Sequence, residues 1–142
     1  MKLVAMLLFV LLAFAIWPQT ASTQAQQKPE DLAQKSAEAW LALTDSGKYA
    51  ESWDEASQLF KNSVSQERWS GMVKAARGPL GKVQSRKLKS ATYTKTLPGA
   101  PDGEYVVIQY DTSFANKASA VETITPLLDK DGKWRVSGYF IK

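Results

Sequence analysis

The side chains that could carry out chemistry in this 142-residue sequence are carboxylates, tyrosines, lysines and arginines, because it contains no histidine and no cysteine. Without histidine the chain lacks the usual general base at neutral pH and the commonest zinc ligand. Without cysteine it lacks thiol nucleophiles, thiolate metal sites and disulfides. The acids lie singly or at predicted helix starts, and no glycine-rich phosphate loop is present. We therefore predict no metal and no cofactor, and we assign no catalytic residue.

Arg77, Arg86 and Glu122 are the charged candidates for a binding role. Arg77 comes at the end of a predicted helix, where a cation is favoured and its side chain can bind the last carbonyl groups. Arg86 lies within a predicted strand. If its side chain faces the interior, it needs a carboxylate such as Glu122 or an anionic ligand. The alternation around Arg86 leaves its face undecided.

Aromatic residues supply the other candidates, Trp53, Trp69 and Tyr110. We expect the tryptophans to fill the core, with stacking on a ligand as the alternative. Tyr110 stands beside Asp111, and some pocket enzymes combine an Asp base with a Tyr donor and need no histidine. Adjacent strand residues point to opposite faces, so these two cannot converge without a bulge. A His-free isomerase or cyclase is therefore an alternative and not the main prediction.

Charge is distributed unevenly along the chain, whose formal net charge is +4. Residues 30–55 hold seven acids and two bases, whereas residues 61–95 hold nine bases and one acid. We expect the acidic helices to pack near the basic strand, so that the two sets partly neutralise each other. The alternative is that residues 61–95 bind an anionic envelope polymer or a lipid surface. Nucleic acid is a less favoured partner.

Apolar residues at helical spacing predict three short amphipathic helices in the first half of the chain. The first covers residues 29–47, with Pro in its first turn and Gly at its end, and the second covers residues 49–60. The third is capped by Ser63 or Ser65 and ends at the Arg-Gly-Pro of residues 77–79.

Alternating residues and short turns predict four strands in the second half, at residues 82–95, 104–114, 118–128 and 133–141. We expect the first strand to bend near Ser90. Alternation places apolar sets on the face toward the helices, namely Val106, Ile108, Tyr110, Thr112 and Phe114 in the second strand and Trp134, Val136, Gly138 and Phe140 in the last. The predicted fold class is α+β, with three N-terminal helices packed on a curved four-stranded antiparallel sheet.

The N-terminus has the pattern of a secretory signal peptide. Lys2 precedes an apolar run at residues 3–17, and small and polar residues follow up to Ala25. The run is shorter than the roughly 20 residues that a bilayer-spanning helix needs. We predict cleavage after Ala25, or alternatively after Ala21, followed by a short flexible leader at residues 26–28 and a single domain at residues 29–142. The mature protein would be periplasmic or secreted, with no stable membrane anchor.

Short blocks of residues along the mature chain carry a resemblance to a known family. The blocks are Trp40, residues 45–49, Ser52, Trp53, Ala56, Phe60, Trp69, residues 77–81, Ser85, Arg86, residues 97–105, Glu122, Thr123 and residues 131–139. In this order they resemble a group of exported bacterial proteins known as domain of unknown function 4019. The order of helices and strands also looks similar to the NTF2/cystatin-like α+β class. That class implies a curved sheet wrapped around helices, often with a pocket.

These observations predict an exported, non-catalytic domain that binds a small ligand or an envelope protein. The candidate ligand-binding residues are Trp53, Trp69, Arg77, Arg86, Tyr110 and Glu122. The alternatives are anionic surface binding through residues 61–95 and the His-free pocket enzyme.

Overall fold

An antiparallel sheet and a layer of helices make up residues 26–142, the part of the chain that the computed structural model describes. The predicted signal peptide at residues 1–25 lies outside these residues. The elements in chain order are α1 (Pro29–Asp45), α2 (Tyr49–Asp54), α3 (Gln58–Ser63), α4 (Gln66–Arg77), one 3₁₀ turn (Gly78–Leu80), β1 (Val83–Thr94), β2 (Tyr105–Phe114), β3 (Lys117–Leu128) and β4 (Trp134–Ile141). The strands form one sheet in the order β1-β2-β3-β4, with every pair antiparallel. The predicted α+β class is confirmed.

The helical layer contains four α-helices, because the predicted second helix is divided at Ser57. The Ser57 hydroxyl accepts a hydrogen bond from the Phe60 N–H at 3.2 Å and so begins α3. The Ser57 N–H donates to the Val136 carbonyl at 2.8 Å, which attaches the break between α2 and α3 to β4. Of the two predicted caps for the last helix, Ser65 is the one used, while Ser63 ends α3.

Helix α1 lies across the sheet and contacts all four strands. Its buried residues recur at helical spacing and are Ala33, Ala37, Trp40, Leu41 and Thr44. They meet the apolar face of β2, where Val106, Ile108, Tyr110, Thr112 and Phe114 are all buried, as predicted. Within residues 26–142, no helix is long and apolar enough to cross a membrane.

The pairing register shifts within every pair of neighbouring strands, and two of these shifts bear on the sequence predictions. The β1–β2 register shifts between Leu88 and Ser90, an irregularity of the kind that bends a strand, at the position where the bend was predicted. In β4, Val136 and Gly138 pair with consecutive residues of β3, which leaves Ser137 as an extra residue.

The irregularity at Ser137 makes the predicted alternation wrong for the second half of β4. Beyond it, Tyr139 faces the helices and contacts Trp40, with 5.3 Å between ring centroids. Phe140, which we expected to face the helices, is 50% exposed. The register shift moves each later residue to the opposite face of the strand.

Candidate functional site

Five polar residues from five elements meet where the C-terminal ends of α1 and α4 approach the sheet. They are Asp45, Arg77, Arg86, Glu122 and Tyr139, and we call this set the arginine–carboxylate cluster. Three of the sequence candidates therefore come together here. Asp45 and Tyr139 were not among the candidates.

Glu122 is the most deeply buried member of the cluster, with 0% of its surface exposed. Its carboxylate accepts hydrogen bonds from Arg86 Nε at 2.7 Å and Arg86 Nη2 at 3.2 Å. It also accepts from Thr112 Oγ1 at 2.6 Å and from the Tyr139 hydroxyl. A buried carboxylate requires a paired charge and donors for its lone pairs, and Glu122 has both. Of the two partners predicted for an inward-facing Arg86, a carboxylate such as Glu122 or an anionic ligand, the structure shows Glu122.

The Arg86 guanidinium also binds Asp45, with Nη1 at 2.7 Å from Oδ2 and Nη2 at 3.0 Å from Oδ1. Arg77 Nη2 donates to the same Asp45 Oδ1 at 2.7 Å. Burial by itself raises the pKa of Asp45, but hydrogen bonds from Arg86 and Arg77 outweigh it and hold this pKa below its ordinary value. Asp45 thereby links the last residues of α1 and α4 to strand β1.

The Arg77 side chain is 5% exposed and turns into the core. Its Nη1 donates to Thr44 Oγ1 at 3.2 Å and to the Tyr139 hydroxyl at 3.4 Å. Its guanidinium lies 5.2 Å from the centroid of the Phe114 ring. The expectation that Arg77 binds the last carbonyls of its helix is therefore wrong. A carboxylate offers a stronger, charge-assisted hydrogen bond, and Asp45 supplies it.

Tyr139 completes the cluster from β4. Burial, together with the negative charge of Glu122 and the hydrogen bond to it, raises the pKa of the Tyr139 hydroxyl well above its usual range. Simple alternation placed Tyr139 on the outer face of the sheet, so the sequence analysis missed it. The available signal was Gly138, since a glycine inside a strand often marks a bulge.

The cluster holds five elements together through hydrogen bonds that engage both carboxylates and the Tyr139 hydroxyl, while the buried Nε of Arg77 has no partner among the described residues. A tyrosine beside a carboxylate occurs in His-free active sites, but Glu122 here accepts four hydrogen bonds. Neither of the clefts described below, in residues 26–142, is lined by a cluster residue. The other proposed pair, Tyr110 and Asp111, lies on opposite faces, with Tyr110 buried and Asp111 exposed.

Trp53, Trp69 and Tyr110 lie in or against the hydrophobic core. Trp69 Nε1 donates to Ser52 Oγ at 2.9 Å, and half-buried Trp53 donates from Nε1 to the Val64 carbonyl at 2.7 Å. Burial raises the pKa of Tyr110 to about 12. In the described part of the chain, none of these three residues donates a hydrogen bond to the arginine–carboxylate cluster.

Two adjoining clefts lie between the helices and the β3–β4 hairpin. The first has a volume of about 570 Å³ and lies between α1, α2 and the start of β4. The second, of about 1100 Å³, extends past α3 to residues 101–105 and to the turn at residues 129–132. Asp54, Glu55 and Arg135 line both clefts, so the two form one concave surface that we call the helix–hairpin groove.

Hydrogen bonds fix the walls of the groove. Ser36 Oγ on α1 donates to the Trp134 carbonyl at 2.7 Å and holds the start of β4 against the helix. Arg135 Nη1 donates to Asp129 at 3.0 Å, and Arg135 Nη2 donates to Asp131 at 2.8 Å. None of the six sequence candidates lines the groove. Its acids were visible in the sequence, but nothing there indicated that residues 51–55, 102–104 and 129–131 would be neighbours.

Comparison with known proteins identifies the family. The model of a family described as "Protein of unknown function (DUF4019)" matches residues 36–139, which is most of the chain. The chain belongs to this family. No curated protein matches the sequence.

Proposed function

We propose that this member of the DUF4019 family is an exported, non-catalytic binding domain that takes up a small ligand or a segment of a partner protein in the helix–hairpin groove. The observation that carries the proposal is the groove itself. Its two parts, of about 570 and 1100 Å³, lie in or above the range of about 300–1,000 Å³ that is usual for ligand sites. Export is supported by the N-terminal sequence pattern.

The lining of the groove supports binding more than catalysis. Trp40, Leu43 and Trp134 line the first part as apolar residues, and three carboxylates and two bases line the same cleft. Binding sites commonly combine an apolar wall with a few polar groups that fix orientation. The polar groups that most resemble an active site, in the arginine–carboxylate cluster, bind each other instead.

The protein for the test is obtained by expressing the full chain in a bacterium and purifying it from the periplasmic fraction. Mass spectrometry reads the new N-terminus, which we expect at Gln26. Recovery only from the cytoplasm with Met1 retained would contradict export.

Binding is then measured by a thermal-shift screen against envelope metabolites and peptides. Ala39→Trp fills the first part of the groove, and Ala75→Trp adds the same side chain at an exposed position of α4 outside the groove. We expect Ala39→Trp, and not Ala75→Trp, to abolish the ligand-induced rise in melting temperature. If no ligand raises the melting temperature, or if both variants respond as the unmodified protein does, the proposal fails.

The distribution of ion pairs favours anionic surface binding as a second candidate. Of the seven acids at residues 30–55, only Asp45 pairs with a base of residues 61–95 in the described structure, so the expected neutralisation is limited. Lys82 and Lys87 on or beside β1 are exposed. Retention on heparin or on anionic vesicles should fall steeply as NaCl is raised from about 0.02 to 0.5 M. Retention that does not change with the NaCl concentration would argue against binding to anionic surfaces.

A further inference from the structure

The helix–hairpin groove has a charge opposite in sign to that of the whole protein. Seven carboxylates and four bases line it, whereas the complete chain has a formal net charge of +4. One of the four bases, Arg135, is already bound to Asp129 and Asp131. Lys48, which pairs with Glu51 at 3.8 Å, adds a fourth base to the remaining three. The five remaining carboxylates still outnumber these four bases, and the groove attracts cations.

The carboxylates are spread along the groove and are not gathered at one point: Asp54 and Glu55 line both clefts, whereas Glu51 lines only the first. Glu51, Asp54 and Glu55 project from α2 and its C-terminal cap beside the first cleft. Asp102 and Glu104 lie across the second cleft, in the loop before β2. A compact ligand would reach the carboxylates of one cleft, while an extended chain with several positive charges would reach those of both.

Apolar surface at the first cleft suits the carbon chains of Lys and Arg side chains. Half-buried Trp134 and Leu43 line it, with Glu51 and Asp54 at the same cleft. A lysine or arginine lying there would place its methylene groups on the indole and its charge at the carboxylates. The same arrangement disfavours an acidic partner.

We propose that the helix–hairpin groove binds an extended, positively charged peptide segment of a partner protein. This inference rests on the proposed function of the groove as a binding site. It adds the sign of the charge and the extended form of the occupant. Backbone and side-chain contacts along such a groove are a common mode of peptide recognition.

The test uses the exported full-length product and a fluorescent peptide of about ten residues in which Lys and Ala alternate. Binding is followed by fluorescence anisotropy, and the indole N–H of Trp134 is followed by NMR. A Glu–Ala peptide of the same length is the charge-reversed probe. We expect the Lys–Ala peptide to bind and to shift the Trp134 resonance, and the Glu–Ala peptide to do neither.

Two triple variants distinguish the effect of the groove carboxylates on peptide binding from the effect of the overall net charge. Glu51→Gln/Asp54→Asn/Glu55→Gln removes three carboxylates from the groove. The control is Asp31→Asn/Glu38→Gln/Glu67→Gln, which removes three exposed carboxylates elsewhere and changes the net charge equally. The groove variant should weaken Lys–Ala binding by about tenfold and the control by less than about threefold. All six acids are exposed, so both variants should fold.

Equal weakening by the two triple variants would overturn the inference, because it would indicate attraction to net charge alone. So would a free polyamine that binds as tightly as the peptide, since the extended backbone would then contribute nothing. If the Lys–Ala peptide does not bind but another ligand is lost in Ala39→Trp, the inference fails and the proposed function stands. If no ligand of any charge responds to Ala39→Trp, both fail.

Discussion

Glu122→Gln tests directly whether the arginine–carboxylate cluster stabilises the fold. The substitution keeps the size of the side chain and removes its charge. The Glu122 carboxylate has 0% exposure and accepts hydrogen bonds from Arg86 Nε at 2.7 Å and from Thr112 Oγ1 at 2.6 Å. The variant amide would present an NH₂ group, itself a donor, to donors on one side of the site.

The expected loss of stability follows from what the substitution leaves behind. Removing one partner of a buried ion pair costs about 3–5 kcal/mol, because the other charge is left without compensation. Arg86 keeps its contacts with Asp45, and its side chain is 16% exposed, so part of that charge stays stabilised. We therefore expect the lower value, about 3 kcal/mol. For a domain of this size, that corresponds to a fall in Tm of about 12 °C.

The free energy of unfolding is measured by urea titration, followed by far-UV circular dichroism and tryptophan fluorescence. Asp111→Asn is the matched control, because the Lys89–Asp111 pair spans 3.6 Å with side chains 50% and 59% exposed. Exposed pairs contribute about 0–1 kcal/mol. If Glu122→Gln costs no more than Asp111→Asn, the cluster does not hold the layers together and the reasoning is refuted.

Three further predictions use the same unfolding assay. The pKa of Asp45 lies below its unfolded value of about 3.9, so its contribution is present above that pH and is lost as the pH falls through the folded pKa. Asp45→Asn should flatten the acid side of the stability profile. The pKa of Tyr139 lies above its unfolded value of about 10, so stability should fall as the pH rises beyond 10, and Tyr139→Phe should reduce that fall. Gly81→Ala should lower the free energy of unfolding more than Gly99→Ala does, by about 1 kcal/mol or more. Both glycines have φ near +75°, but only at Gly81 would the new Cβ meet another atom, at 3.0 Å. Unchanged pH profiles, or equal losses at the two glycines, would contradict these predictions.

The order and type of the elements could be predicted from the sequence because local patterns determine them. The Val106-to-Phe114 alternation identified both strand β2 and its buried face. The prediction failed at Ser57, where a hydrogen bond to β4 helps to begin a new helix. It failed again at Ser137, where one extra residue reverses the facing of Tyr139. Both depend on pairing with a distant strand, which periodicity along one segment does not report.

The candidate site residues also divide into those that the local sequence could indicate and those that only the tertiary fold brings together. Arg86 was expected to need a carboxylate such as Glu122 because burial of an unpaired charge is costly wherever it occurs. Asp45 was not expected as the second partner, because its position at the end of α1 gives no hint of the distant β1 strand. The groove could not be predicted from the sequence, because its carboxylates come from three separate segments and become neighbours only through the tertiary fold.

Helix α1 connects the cluster to the groove, and we propose different roles for the two. Its last residue, Asp45, binds Arg77 and Arg86, while Ser36, Ala39 and Leu43 line the groove. The cluster's hydrogen bonds join the helical layer to β1 and β3 and occupy both carboxylates, although the buried Nε of Arg77 has no partner within residues 26–142. A substitution in the cluster therefore lowers the fraction of folded molecules without changing the groove of a folded one. A groove variant should instead change the affinity for the ligand while the free energy of unfolding stays the same. The affinities measured for cluster variants must be corrected for the unfolded fraction before they are compared with those of groove variants.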